Sequence, residues 1–81
     1  MHLVVIGINK TLVDCDNIDA VKLPGSQGEF QILTNHANIV SQLIEGEVKY
    51  KAQDSDEELS IKITKGISVI HHNNVVVVID K

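Results

Sequence analysis

Leu59, Ile61 and Ile63 alternate with Ser60, Lys62 and Thr64, and Val48 and Tyr50 alternate with Glu47, Lys49 and Lys51. A period of two places one set against a core and the other in water, the mark of a half-buried β-strand. Shorter apolar segments recur about every eight to twelve residues between turn-forming positions, as in an all-β sandwich or barrel. They predict strands at Leu3–Ile8, Thr11–Val13, Ile18–Leu23, Gly28–Leu33 and Ile39–Ile44, with Pro24-Gly25 and Glu45-Gly46 as breaks. Residues 35–44 could instead form a helical turn or two opened by Asn35. Asn38, Ile39, Val40 and Ser41 are poor helix formers, however, and Gly46 follows closely, so a strand is favoured.

The end of the chain predicts a hairpin, Ile67–Ile70 and Val75–Ile79, turning through His71–Asn74. Asn73-Asn74 suits a tight turn because asparagine tolerates left-handed backbone. Val75–Ile79 is apolar at every position, so both faces of that strand want cover. Left on an open edge it would invite aggregation, so it is expected to be central in its sheet or to meet another subunit. Between the strands at Glu47–Lys51 and Leu59–Ile63 lies AQDSDEE, which reads as a solvated loop. Its acids lack calcium-loop spacing, and no glycine supplies the sharp turn such a loop needs.

Length and charge narrow the function. Eighty-one residues point to one domain, 1–81. A domain of that size buries only about 60% of its unfolded surface, and a partner would support it. The net charge is −4, there is no arginine, and Phe30 and Tyr50 are the only aromatics, which argues against nucleic acid as a partner. A lone Cys15 excludes an internal disulfide and fits a reducing compartment; it reads as a small packed side chain, with no His or Lys beside it to activate the thiol. The start MHLVVIGINK lacks signal-peptide features, and no apolar run reaches the ~18 residues of a membrane span. A soluble, cytoplasmic protein without direct membrane insertion is the expectation.

Catalytic readings fail one after another. Four histidines invite a metal site, yet His71-His72 would point to opposite faces of a strand, and neither they nor His36 have a carboxylate or thiol at ligand spacing. Ser26, in LPGSQGEF, directly follows Gly25, whereas a nucleophile elbow needs Gly-x-Ser-x-Gly between strand and helix. Gly25-x-x-Gly28 is no phosphate loop either, because no helix N-terminus stands behind it. What remains is a stiff turn. Pro24 fixes φ, Gly25 and Gly28 permit unusual backbone, and Ser26, Gln27 and Glu29 are presented outward for a partner. No catalytic residue, cofactor, metal or small-molecule ligand is expected.

LPGSQGEFQILTNHANIVSQLIEGEVKY resembles the epsilon subunit of the F-type rotary ATP synthase. The family pattern there runs Leu-Pro-Gly-x-x-Gly-Glu-Phe-Gly-Ile-Leu-Pro-Asn-His-Ala-Pro, then an aliphatic strand and x-Gly-x-Val-x-Tyr. HLVVIGINKTLVD is similar to the family's opening strands and KGISVIHHNNVVVVID to its final hairpin, so the likeness covers essentially the whole chain. Thr34 and Asn38 replace two customary prolines, and Lys65 stands where the first glycine of a Gly-Gly pair is common.

The resemblance implies a flattened β-sandwich of about ten short, mostly antiparallel strands. It implies a non-catalytic rotor subunit of the central stalk, bound to gamma and resting on the c-ring. Its role would be to help couple ring rotation, driven by protons or sodium ions, to ATP synthesis. The ring-facing loop would be Gly25, Ser26, Gln27, Gly28, Glu29 and Phe30, and the gamma-facing edge Gly7, His36 and Ser41. The place would be the cytoplasmic face of the bacterial inner membrane, peripherally. Family members continue into a C-terminal helical hairpin that can inhibit hydrolysis and in some binds ATP. This sequence stops at Lys81, as a naturally short form or a truncated piece, with the former favoured. Such a chain is expected neither to bind ATP nor to inhibit through that hairpin. Two rivals stay open: a free-standing β-sandwich adaptor binding another protein through residues 24–30, and a cupin-like metal enzyme using His36, His71 and His72.

Overall fold

A computed structural model describes residues 1–33 and 38–81, all of them strands and connections. The strands are β1 (His2–Ile6), β2 (Thr11–Cys15), β3 (Ile18–Gly25), β4 (Gly28–Leu33) and β5 (Ile39–Leu43). They continue with β6 (Gly46–Ala52), β7 (Glu58–Ile63), β8 (Gly66–His71) and β9 (Asn74–Ile79). Every segment expected to be a strand is one, including β5, with boundaries moved by at most two residues; β3 runs on through Pro24-Gly25, the expected break. Nine strands are described, and they curl into a sandwich of two halves.

One half runs β2-β1-β9-β8-β5 and the other β4-β3-β6-β7. All pairings are antiparallel except β1 with β9, which brings the two ends of the chain side by side. β9 is central, between β1 and β8, as its uninterrupted apolar run requires. The β8–β9 turn differs in one detail. His72, not an asparagine, carries the left-handed backbone, at φ 56°. The Asn38 side-chain oxygen accepts the His72 N–H at 2.8 Å and holds that geometry from outside the turn.

The halves meet at β3. Its ladder with β6 ends at Lys22 opposite Lys49, and beyond that point β3 pairs with β5 through Gly25 opposite Leu43. Pro24 stands at this change of partner, where a missing N–H costs no ladder bond. Its carbonyl accepts the Ile44 N–H at 2.9 Å, and the Ser26 N–H donates to the Gln42 carbonyl at 3.0 Å. Gly46 permits the approach, since a Cβ there would lie 2.7 Å from the Pro24 Cβ. At the opposite end Met1 and Ile18 exchange backbone bonds, the Met1 amine to the Ile18 carbonyl at 3.1 Å and the Ile18 N–H to the Met1 carbonyl at 2.8 Å.

Between these two seams lies the core. Leu3, Val5, Val75 and Val77 from one half face Val21, Leu23, Ile32 and Val48 from the other, all fully or almost fully buried. Each such side chain contributes about 1.5–3 kcal/mol by leaving water. Ser68 is the exception. It is buried on the inner face of β8, and its hydroxyl has no hydrogen-bond partner among the described residues.

The end of β9 is tied to the β7–β8 turn by Asp80. Its carboxylate accepts the Thr64 hydroxyl and backbone N–H groups around Thr64 and Lys65, and the Thr64 bond is the main cause of a pKa lowered from 3.8.

Two predictions follow from these contacts. Ser68→Ala removes an unsatisfied buried hydroxyl, so it should raise the urea midpoint, by about 1 kcal/mol in stability, with the slope unchanged. A lower midpoint would show the hydroxyl to be bonded. Asp80→Asn should lower the thermal midpoint at neutral pH. The folded pKa lies below the unfolded one, so the native advantage is full above 3.8 and is lost as pH falls through the depressed value. Melting curves of wild type and variant should therefore converge in acid; a constant gap would sink the assignment.

Candidate functional site

The Gly25–Gly28 turn closes the β3–β4 hairpin, with Gly25 paired to Gly28. Ser26 and Gln27 keep negative φ while Gly28 takes φ 118°, a two-residue turn closed by a glycine with positive φ, and the β3–β4 register runs unbroken up to it. Ser26, Gln27, Gly28 and Glu29 are exposed, so the expected outward presentation is present. Gly25 is buried, and Phe30 is half-buried and packs on the core. Those two build the turn from beneath.

Of the residues expected on the other edge, the two that are described, Gly7 and Ser41, lie apart. Gly7 is buried just beyond β1, where its N–H donates to the Lys10 carbonyl at 2.8 Å. Ser41 is half-buried in β5, paired with Ser68 and facing the inner side, while its neighbours Val40 and Gln42 are exposed on the outer side. His36 lies outside the described residues. Ser41 does come close to the turn. A groove of about 520 Å³ is lined by Gly25 to Gln31 on one side and Ile39 to Gln42 on the other.

A second feature was not expected as a whole. The register aligns Val4, Val76, Val69 and Val40 in one cross-strand row, and Ile6, Val78, Ile67 and Gln42 in the next. Both rows lie on the face turned away from the core. Val40 is 69% exposed, Ile67 50%, Val78 47% and Val69 37%. The signal for it was partly visible, since Leu3–Ile6 and Val75–Ile79 are apolar at both parities. It could not be assembled without the strand order, which brings β1, β9, β8 and β5 side by side. Continuous with this face is an apolar groove of about 460 Å³ bordered by Val40, Leu43, Ile67 and Val78.

The outer face of the other half is its opposite. Lys22 stands opposite Lys49, Lys51 opposite Glu58 and Glu47 opposite Lys62, and the Lys22 ammonium is 3.7 Å from Glu58. Such a face is content in water, whereas a contiguous apolar face marks an interaction site. At the rim of the apolar face, His2 meets Asp14 at 2.7 Å and Asp16 at 3.7 Å. His71 and His72 sit at the β8–β9 turn with ring centroids 4.0 Å apart.

No chemistry assembles around these groups. Among the described residues, no cluster of three His, Cys, Asp or Glu side chains is placed to hold a metal ion. Cys15, expected as a packed side chain, is exposed at the end of edge strand β2. Burial raises the Tyr50 pKa, with a smaller push from Cys15, so the phenol stays neutral. No helix of the described residues is long and apolar enough to cross a membrane.

Known proteins match this architecture from end to end. The chain is similar to the ATP synthase epsilon chain of Sulfurovum sp., 31% identical over 80 residues, covering 99% of this chain and 61% of that one. It is also 34% identical over 65 residues to the epsilon chain of Campylobacter curvus, covering 80% and 50%. The chain thus spans about half to three-fifths of the relatives it matches. In solved structures it superposes with a TM-score of 0.86 on a chain of the Tetrahymena thermophila mitochondrial ATP synthase central stalk and c-ring, at 13% identity, covering 100% of this chain and 63% of that one. A chain of the Euglena gracilis mitochondrial ATP synthase gives 0.90 at 16% identity, covering 98% and 49%, which establishes the same fold. The family described as the ATP synthase delta/epsilon chain, β-sandwich domain, matches residues 1–81, and the chain belongs to it.

Proposed function

We propose that this chain is a non-catalytic rotor subunit of an F-type ATP synthase. It binds gamma and the c-ring in the central stalk and helps couple ion-driven ring rotation to ATP synthesis. The observation that carries the proposal is the pairing of two unlike surfaces at one end of the molecule: a wide apolar sheet face and, adjoining it through β5, a stiff polar turn.

The apolar face suits gamma. A protein partner covering Val4, Ile6, Val69, Val76 and Val78 removes contiguous apolar surface from water, the main source of stability in long-lived interfaces. The Gly25–Gly28 turn suits the polar loops at the end of the ring, with Glu29 the one charge on it. A loop already fixed by Pro24, Gly28 and the bonds to β5 loses little entropy on contact. Nothing in such a role requires bond chemistry: the subunit holds one part of the rotor against another. Its place is peripheral, at the cytoplasmic face of a bacterial inner membrane.

Two substitutions test the two surfaces separately. Ile67→Glu puts a carboxylate in the middle of the apolar face at a half-exposed position, so the fold should survive. Affinity for gamma should fall at least about tenfold, equivalent to 1.4 kcal/mol, in a binding titration. Unchanged affinity would move gamma elsewhere. Glu29→Lys should weaken association with the c-ring by no more than about 1 kcal/mol, since exposed ion pairs are worth little. Ring co-sedimentation and ATP-driven ion pumping that match wild type would remove Glu29 from the contact.

A further inference from the structure

Two grooves flank β5. One lies between β5 and the Gly25–Gly28 turn, the other, more apolar, opens toward β8 and β9, and Val40, Ser41 and Gln42 line both. β5 pairs fully with β8 on one edge, from Ile39 opposite Ile70 to Leu43 opposite Gly66. On its other edge it is joined to β3 only at Leu43 opposite Gly25, with the Ser26-to-Gln42 and Pro24–Ile44 backbone bonds. On this side of the sandwich, among the described residues, that junction is the backbone hydrogen-bonded link between the turn and the sheet bearing the apolar face.

We propose that the β3–β5 junction is the link that makes the two contact surfaces act as one bivalent site. This rests on the reading that gamma covers the apolar face and the ring meets the turn. If gamma and the ring form one rigid rotor, both surfaces engage it at once. The gain over a single contact then depends on how firmly the two surfaces are held in register, and a short stiff link gives the highest effective concentration. Here the link is one residue pair, Gly25 opposite Leu43, held by two backbone hydrogen bonds of 2.9 and 3.0 Å. Load from the ring enters at Ser26–Glu29 and passes through Pro24, Gly25 and Ser26 into β5. From β5 it spreads across the β8, β9 and β1 ladders under the apolar face.

Removing a bond tests the link, with the gamma-alone and ring-alone titrations accounting for any change in either surface itself, Ser26 being part of the ring contact. Ser26→Pro deletes the donor to Gln42, and Ser26 is the first central residue of its turn with negative φ, where proline is favoured. Ile44→Pro deletes the other donor, at an exposed position after β5. The full chain is titrated against gamma alone, against detergent-solubilised c-ring alone, and against gamma assembled on the ring. The wild type should bind the assembly about 10²–10⁴-fold more tightly than either part. Each variant should keep its affinity for gamma alone and lose about tenfold of that gain.

Variants that retain the full gain overturn the link. So does a variant that loses affinity for gamma alone, because the junction would then serve to shape the apolar face. A wild type that binds neither gamma nor the ring overturns the underlying assignment itself, a result distinct from binding both without a gain.

Discussion

The whole molecule depends on β3 changing partners partway along its length. An eight-residue strand cannot serve two sheets unless its ladder is interrupted, and Pro24 interrupts it at the one place where a backbone donor has no acceptor to find. The bend directs Val21 and Leu23 into the core while Gly25 reaches β5. Gly46 completes the arrangement by leaving room for the proline ring. Without that bend the four- and five-stranded halves would be joined only at the Met1–Ile18 seam, and the inner face of each would lose its cover.

Curling solves only part of the hydrophobic problem. It covers the inner faces, and the outer face of the four-stranded half is charged and needs no cover. The outer face of the five-stranded half stays apolar across two rows, broken only by Gln42 at the β5 end of the second. A small domain gains little stability from apolar residues left in water, and a flat apolar sheet is a liability for a free monomer. Their contiguity on one face, against a charged opposite face where Leu33 alone among the described large apolar side chains is exposed, distinguishes an interface from general greasiness. It also fits a domain whose size leaves its own core modest.

Strand positions were legible because period-two alternation is written locally. β6 and β7 could be read residue by residue from Val48, Tyr50, Leu59 and Ile61, and β9 announced its central place by being apolar throughout. The outward polar turn was equally legible, since proline and glycine act on their own backbone. The apolar face was not, because it is a product of register: Val40, Val69, Val76 and Val4 are far apart in sequence and meet only through the strand order. For the same reason Ser41 could be assigned to the right strand and not to a face. A one-residue difference in parity turns its side chain inward and leaves Val40 and Gln42 outside. The left-handed residue of the last turn fell on His72 because a side chain from outside that turn, Asn38, completes its hydrogen bonding.

A coupling element must resist deformation, and sheets and loops differ in how they do so. A displacement of one strand in a paired sheet strains every ladder bond along it, so β5, β8, β9 and β1 move as a unit. The Gly25–Gly28 turn, at the tip of its hairpin, owes its stiffness to Pro24, to Gly28 and to two bonds to β5. The polar turn and the apolar face are therefore unequal partners: the face is rigid by construction, and the turn is rigid only through its attachment. That places the mechanical weak point of the domain at Ser26–Gln42 and Pro24–Ile44, on the boundary between the two contact surfaces.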